Sequence, residues 1–117
     1  MDVKILSFNS LMELTPRQRS EKILSLVKKG DLVVFEGRLE SEEELNLTTK
    51  ALESVSGKFT GIEIAYLGAQ NKSLIEKVKH SLVKVLSGKS PGLTVVGPSK
   101  TIKEIKMDPN NLEIMLK

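Results

Sequence analysis

The sequence predicts an α/β domain with a mostly parallel sheet, and three observations lead there. Short apolar runs rich in β-branched residues alternate with segments of helical period. One run, Leu32-Val33-Val34-Phe35, is apolar at four successive positions, as a strand covered on both faces would be. Capping patterns mark two helix starts after such runs. An order β-α-β-α-β-α with right-handed crossovers packs as neighbouring parallel strands. The expected architecture is three βα units with helices packed on the sheet, closed by a C-terminal β-hairpin, in a single domain spanning residues 1–117.

Val3-Lys4-Ile5-Leu6-Ser7-Phe8 opens the chain as a strand, and Asn9 to Leu14 follows as a partly apolar loop. Thr15-Pro16-Arg17-Gln18 starts a helix: Thr15 caps, Pro16 suits the first helical position, and Gln18 completes a capping box. Ile23, Leu24, Leu26 and Val27 form its apolar stripe, and Gly30 ends it after Lys28-Lys29. The Leu32–Phe35 strand comes next. Ser41 and Glu44 make a second capping pair, and that helix carries Leu45, Thr48, Leu52 and Val55 at helical spacing until Gly57. Ile62 to Leu67 is a strand between Gly61 and Gly68, and a third helix is expected over about 73–86. Leu93-Thr94-Val95-Val96 is a fourth strand. Ile102 to Met107 and Leu112 to Leu116 read as two short strands about an Asp108-Pro109-Asn110-Asn111 turn.

Composition narrows the function classes. Hydrophobic residues are 39% and charged residues 28% of 117, as in a globular chain. No apolar run approaches the roughly 18 residues that span a bilayer, and the N-terminus has no signal-peptide pattern, so no membrane association and a cytoplasmic location are expected. Cysteine is absent, which excludes disulfides, thiolate metal sites and cysteine nucleophiles. The formal charge of +3 is unevenly spread. Residues 1–67 hold 9 Lys/Arg against 11 Asp/Glu, whereas residues 68–117 hold 9 Lys against 4 Asp/Glu.

Chemistry-bearing motifs are few. Glu36-Gly37-Arg38 ends the central apolar run, where open α/β sheets bind ligands. A ligand site here would gather Asn9, Ser10, Glu36, Gly37, Arg38 and Gly68. The plainer reading is strand end, turn and capped helix, with Glu42 to Glu44 favouring the first helical turn. Ser87-Gly88-Lys89-Ser90 fails as a phosphate loop, because Val83 stands where the motif needs glycine and a helix precedes it. His80, the only histidine, sits among lysines with no ligand set around it, and Glu63 alternates with apolar neighbours as an edge or polar-face residue does. No catalytic residue, metal site or cofactor is assigned. The broadest signal is basic: Lys72, Lys77, Lys79, Lys84, Lys89, Lys100, Lys103 and Lys106 could form a phosphate-facing surface. Lysine without arginine or aromatics suits backbone contact more than base reading.

The runs GDLVVFEGRLESEEE, FTGIEIAYLG and LTVVGPSKTIKEIK resemble a small archaeal family of uncharacterised single-domain proteins. The family's genes tend to lie near those of an Era-like GTPase and a zinc-ribbon protein. The resemblance implies a partner in RNA- or ribosome-related work, with the GTPase as a candidate partner, and carries no catalytic residues. Three functions are therefore expected, in this order. First stands a non-catalytic RNA- or ribosome-associated module using the basic C-terminal half. Second is a protein-interaction subunit, either a GTPase regulator or a homo-oligomer paired through an edge strand. Third is a small-molecule-binding domain or enzyme with its site near Glu36.

Overall fold

The computed structural model describes residues 2–57, 59, 61–68 and 92–116. Along them run β1 (Val3–Leu6), α1 (Phe8–Met12), α2 (Pro16–Lys28), β2 (Leu32–Glu36), α3 (Ser41–Glu53), β3 (Ile62–Leu67), β4 (Leu93–Pro98), α4 (Ser99–Met107) and α5 (Asn110–Leu116). The helix expected over 73–86, His80 and Ser87–Ser90 lie outside the described residues.

The four strands form one sheet in the order β1-β2-β4-β3. β1 pairs with β2 in parallel, while β4 runs antiparallel to both β2 and β3. The three strands expected to be parallel thus do point the same way, but β4 is inserted between two of them. The sheet is mixed, not mostly parallel. The difference has a physical source: a four-residue apolar run marks burial on both faces, and an antiparallel strand in the middle of a sheet meets that condition equally well. Leu93, Val95 and Val96 of β4 are as fully buried as Leu32, Val33 and Val34 of β2.

Strand alternation sends side chains to two separate cores. On one face, Val33, Phe35 and Val96 pack with Ile23 and Val27 of α2 and with Leu47 and Ala51 of α3. On the other, Leu32, Val34, Ala65, Leu93 and Val95 pack with Ile102 and Ile105 of α4 and Leu112 of α5. Register keeps the faces consistent: Val34 stands opposite Val95, and Val95 opposite Ala65. Each fully buried aliphatic side chain stabilises the fold by about 1.5–3 kcal/mol.

The helix starts show where local signals suffice. Thr15 caps α2 with the full reciprocal pair: its hydroxyl accepts from Gln18 N, its own N–H donates to Gln18 Oε1, and Pro16 stands at the first position. The box expected at Ser41 and Glu44 does not form. Glu40 is the N-cap of α3, without a side-chain cap bond, and Ser41 is already helical. Asn9 to Leu14 is not all loop, because Ser7 caps the short helix α1 through Ser10 N.

The C-terminal hairpin is replaced by two helices, α4 and α5. Its buried residues explain why: Ile102 and Ile105 are three apart, as are Leu112 and the half-buried Met115. That is a helical interval, which a strand would place on opposite faces. The Asp108–Asn111 turn is present, with Asp108 Oδ1 accepting from Asn110 N at 3.1 Å, and it joins two helices.

Candidate functional site

The carboxyl ends of β1 and β2 meet the amino end of β4 around residues 36–40. Gly37 has φ +83°, a left-handed conformation that favours glycine. Its N–H donates to Gly92 O at 2.9 Å, and its carbonyl accepts from Thr94 Oγ1. Thr94 lies in register between Phe35 and Tyr66 across the sheet. The exposed Arg38 reaches along the same row and sets its guanidinium 4.8 Å from the Tyr66 ring centroid. Gly92 is held small by the same cluster, since a Cβ there would overlap the Tyr66 hydroxyl and the Leu67 carbonyl.

Glu36 is buried at the end of β2. It is 3% exposed, is not without a partner, and by strand alternation shares the sheet face of Leu32 and Val34. Asn9 and Ser10 belong to α1, where the Ser10 hydroxyl bonds the Ser7 carbonyl at 3.1 Å and accepts from the Ser7 hydroxyl at 2.9 Å. Gly68 follows β3, at the far side of the sheet from β1. Three interstrand steps separate those strands, roughly 14 Å. Of the six residues gathered by sequence position, Glu36, Gly37 and Arg38 line one cleft, while Asn9 and Ser10 sit in α1 and Gly68 follows the far strand.

A cleft of about 280 Å³ does open beside this loop, lined by Leu11, Met12, Phe35 and residues 36–40. Its wall is an ion pair that sequence reading missed. Arg19 and Glu43 meet side by side, with Nη2–Oε1 at 2.7 Å and Nε–Oε2 at 3.1 Å. Arg19 Nη1 also donates to the carbonyls of Leu14 at 2.7 Å and Leu11 at 3.2 Å. The two side chains are only 13% and 8% exposed. The Glu43 hydrogen bond, against the opposing effect of burial, holds the Arg19 guanidinium above its ordinary pKa and so firmly charged. The pair fastens α1, α2 and α3 together and also walls a second hollow of about 510 Å³ at the starts of α2 and α3.

A signal for this pair exists in the sequence. Arg19 precedes Ile23 and Val27 at four-residue spacing, and Glu43 precedes Leu47 and Ala51 in the same way. Each helix thus carries one charge, of opposite sign, at the start of its buried row. Chemically the arrangement positions backbone; the four hydrogen bonds from Arg19 leave its charge matched inside the fold. Among the described residues no group of three His, Cys, Asp or Glu is placed to hold a metal ion.

Of the eight candidate lysines, Lys72, Lys77, Lys79, Lys84 and Lys89 lie outside the described residues. Lys100, Lys103 and Lys106 stand exposed on α4, whose Ile102 and Ile105 are inside. Lys106 pairs with Glu63 of the edge strand β3 at 3.3 Å. Neither Lys100 nor Lys103 is ion-paired among the described residues.

These features define a small mixed α/β domain with helices on both sheet faces and a structural ion pair at its strand ends. The profile of the family described as origin-associated protein OapB matches residues 11–117, and the chain belongs to that family. No curated protein and no solved structure matches it. No described helix is long and apolar enough to cross a membrane.

Proposed function

We propose that the protein is a non-catalytic, cytoplasmic binding module associated with RNA or a ribosomal particle, contacting phosphates through lysines of its C-terminal half. The observation that carries this reading is the exposure of Lys100 and Lys103 on the outer side of α4 without an ion-pair partner among the described residues. A flexible ammonium in that position suits a phosphate and does not read bases. The family's description as origin-associated is compatible with a partner that is a nucleic acid or a complex built on one. The strand-end cleft supports binding over chemistry, because its best-placed cation, Arg19, already faces Glu43 and two backbone carbonyls.

Fluorescence anisotropy with a labelled single-stranded RNA, titrated across salt, tests the reading. Binding is expected to weaken steeply with salt. The double variant Lys100→Glu/Lys103→Glu is expected to bind at least about tenfold more weakly, with the salt slope reduced by about 0.7 for each phosphate that is no longer neutralised. Absence of binding at low salt, or binding indifferent to both lysines, rejects it.

A second reading, a protein-interaction subunit such as a regulator of a GTPase, is favoured by large aliphatic side chains in water. Leu45, Leu52 and Ile114 are each 68% exposed and Met107 is 86% exposed. Isolated exposures of this kind are ordinary, but a row of them marks a contact surface.

A further inference from the structure

α3 carries two apolar rows, and only one is buried. Leu47 and Ala51 face α2 and the sheet. The other row, Leu45, Thr48, Leu52 and Val55, repeats at intervals of three, four and three, and runs along the solvent side. Leu45 and Leu52 are 68% exposed and Val55, just past the helix end, is 50% exposed. A shallow hollow of about 370 Å³ adjoins the row at Ser41, Glu44, Leu45 and Thr48. The margins of the row are acidic: Glu42 and Glu53 are exposed, and Glu44 borders the hollow. Lys50, the one cation of the helix, is drawn away toward α2, where its ammonium lies 3.5 Å from Glu21.

From this we infer that the outer face of α3 is a docking surface for an amphipathic helix of a partner protein, with an apolar row flanked by lysine or arginine. Apolar side chains at three- and four-residue intervals match the anchors of such a helix, and the acidic margins match its flanks. The same margins decide against other occupants. A second copy of this chain would set Glu42, Glu44 and Glu53 against their own counterparts. Nucleic acid would meet like charge. The row is also short, about 15 Å from Leu45 to Val55 by helical rise. That suits one helix of a partner more than a stable dimer, which needs about 800 Å² from each side.

This surface extends the protein-interaction reading and is independent of the lysines of α4, so each can fail alone. The test uses the full chain and a synthetic 14-residue helical peptide with leucines in one row and lysines elsewhere. Two comparison peptides carry glutamate in place of lysine, or the same residues in scrambled order. Binding is followed by calorimetry and by amide chemical shifts. The leucine–lysine peptide is expected to bind one to one and shift amides over residues 41–55. Leu45→Asp/Leu52→Asp should weaken it at least tenfold, whereas Lys100→Glu/Lys103→Glu should leave it unchanged. The glutamate peptide should bind at least tenfold more weakly than the lysine peptide. Glu42→Lys/Glu53→Lys, which keeps the apolar row, should reverse that preference. Equal binding of the scrambled peptide, shifts confined to other elements, or a wild-type dimer that Leu52→Asp dissociates would each overturn the inference.

Discussion

α3 and α4 are both amphipathic helices laid on the same sheet, one on each face, and they meet water differently. α4 turns Ile102 and Ile105 inward and Lys100, Lys103 and Lys106 outward, so its isoleucines form its core row, with Met107 left in water at its last position. α3 turns Leu47 and Ala51 inward, beside the charged Glu43, and leaves the longer row of Leu45, Leu52 and Val55 outside. Helical period thus identifies a helix and shows that it has an apolar stripe. It does not say which stripe faces the core when there are two. In α3 the choice is made by what α2 offers: Arg19 meets Glu43, and Ile23 and Val27 share a core with Leu47 and Ala51.

The largest effect expected on this comparison comes from the ion pair that holds the inner row of α3 in place. Arg19→Met alone leaves Glu43 buried without its cation and should cost about 3–5 kcal/mol in urea unfolding. The double change Arg19→Met/Glu43→Leu should recover most of that loss. If the single and double variants are equally destabilised, the pair is not what fastens the helix.

Next in size is the inward row of α4. Ile105→Ala should lose about 2–5 kcal/mol. Met107→Ala, at a position 86% exposed, should stay within about 0.5 kcal/mol. Equal losses at the two positions would mean that α4 does not face the core through Ile105.

Gly37→Ala forces a side chain into a left-handed backbone and should cost about 1–2 kcal/mol. It should also disturb the stacking of Arg38 on Tyr66, which tyrosine fluorescence can follow. The smallest effect is at the α2–α3 margin. The hydrogen bond from Arg17, with help from Lys50, lowers the Glu21 pKa below its ordinary value of 4.5. A carboxyl depressed in the folded state contributes stability above its unfolded pKa and loses it as pH falls through the folded value. Glu21→Gln should therefore be slightly less stable than the parent near neutrality, have a flatter unfolding profile below pH 4.5, and match the parent once Glu21 is protonated.

Much of the fold could be read from local signals. The Thr15–Gln18 box and the strands at 32–35, 62–67 and 93–96 stand where their residue types predict them. What could not be read depends on partners distant in sequence. β4 takes a central place because it pairs with two strands at once, and nothing in Leu93-Thr94-Val95-Val96 distinguishes that role from a parallel one. The hairpin reading of the C-terminus overlooked the three-residue interval of Ile102 and Ile105, a signal present in the chain itself. At the strand ends, position alone drew attention to Glu36-Gly37-Arg38. Alternation sends Glu36 to one sheet face, while Arg38 crosses to Tyr66 near the other.

α3 is attached through Leu47 and Ala51 and leaves Leu45, Leu52 and Val55 in water. Urea unfolding of Leu47→Ala and Leu52→Ala, measured side by side, tests it most directly. Leu47→Ala is expected to lose about 2–5 kcal/mol, and Leu52→Ala to remain within about 0.5 kcal/mol of the parent. A large loss at Leu52 with little at Leu47 would put the outer row in the core and show that α3 is not held through Leu47.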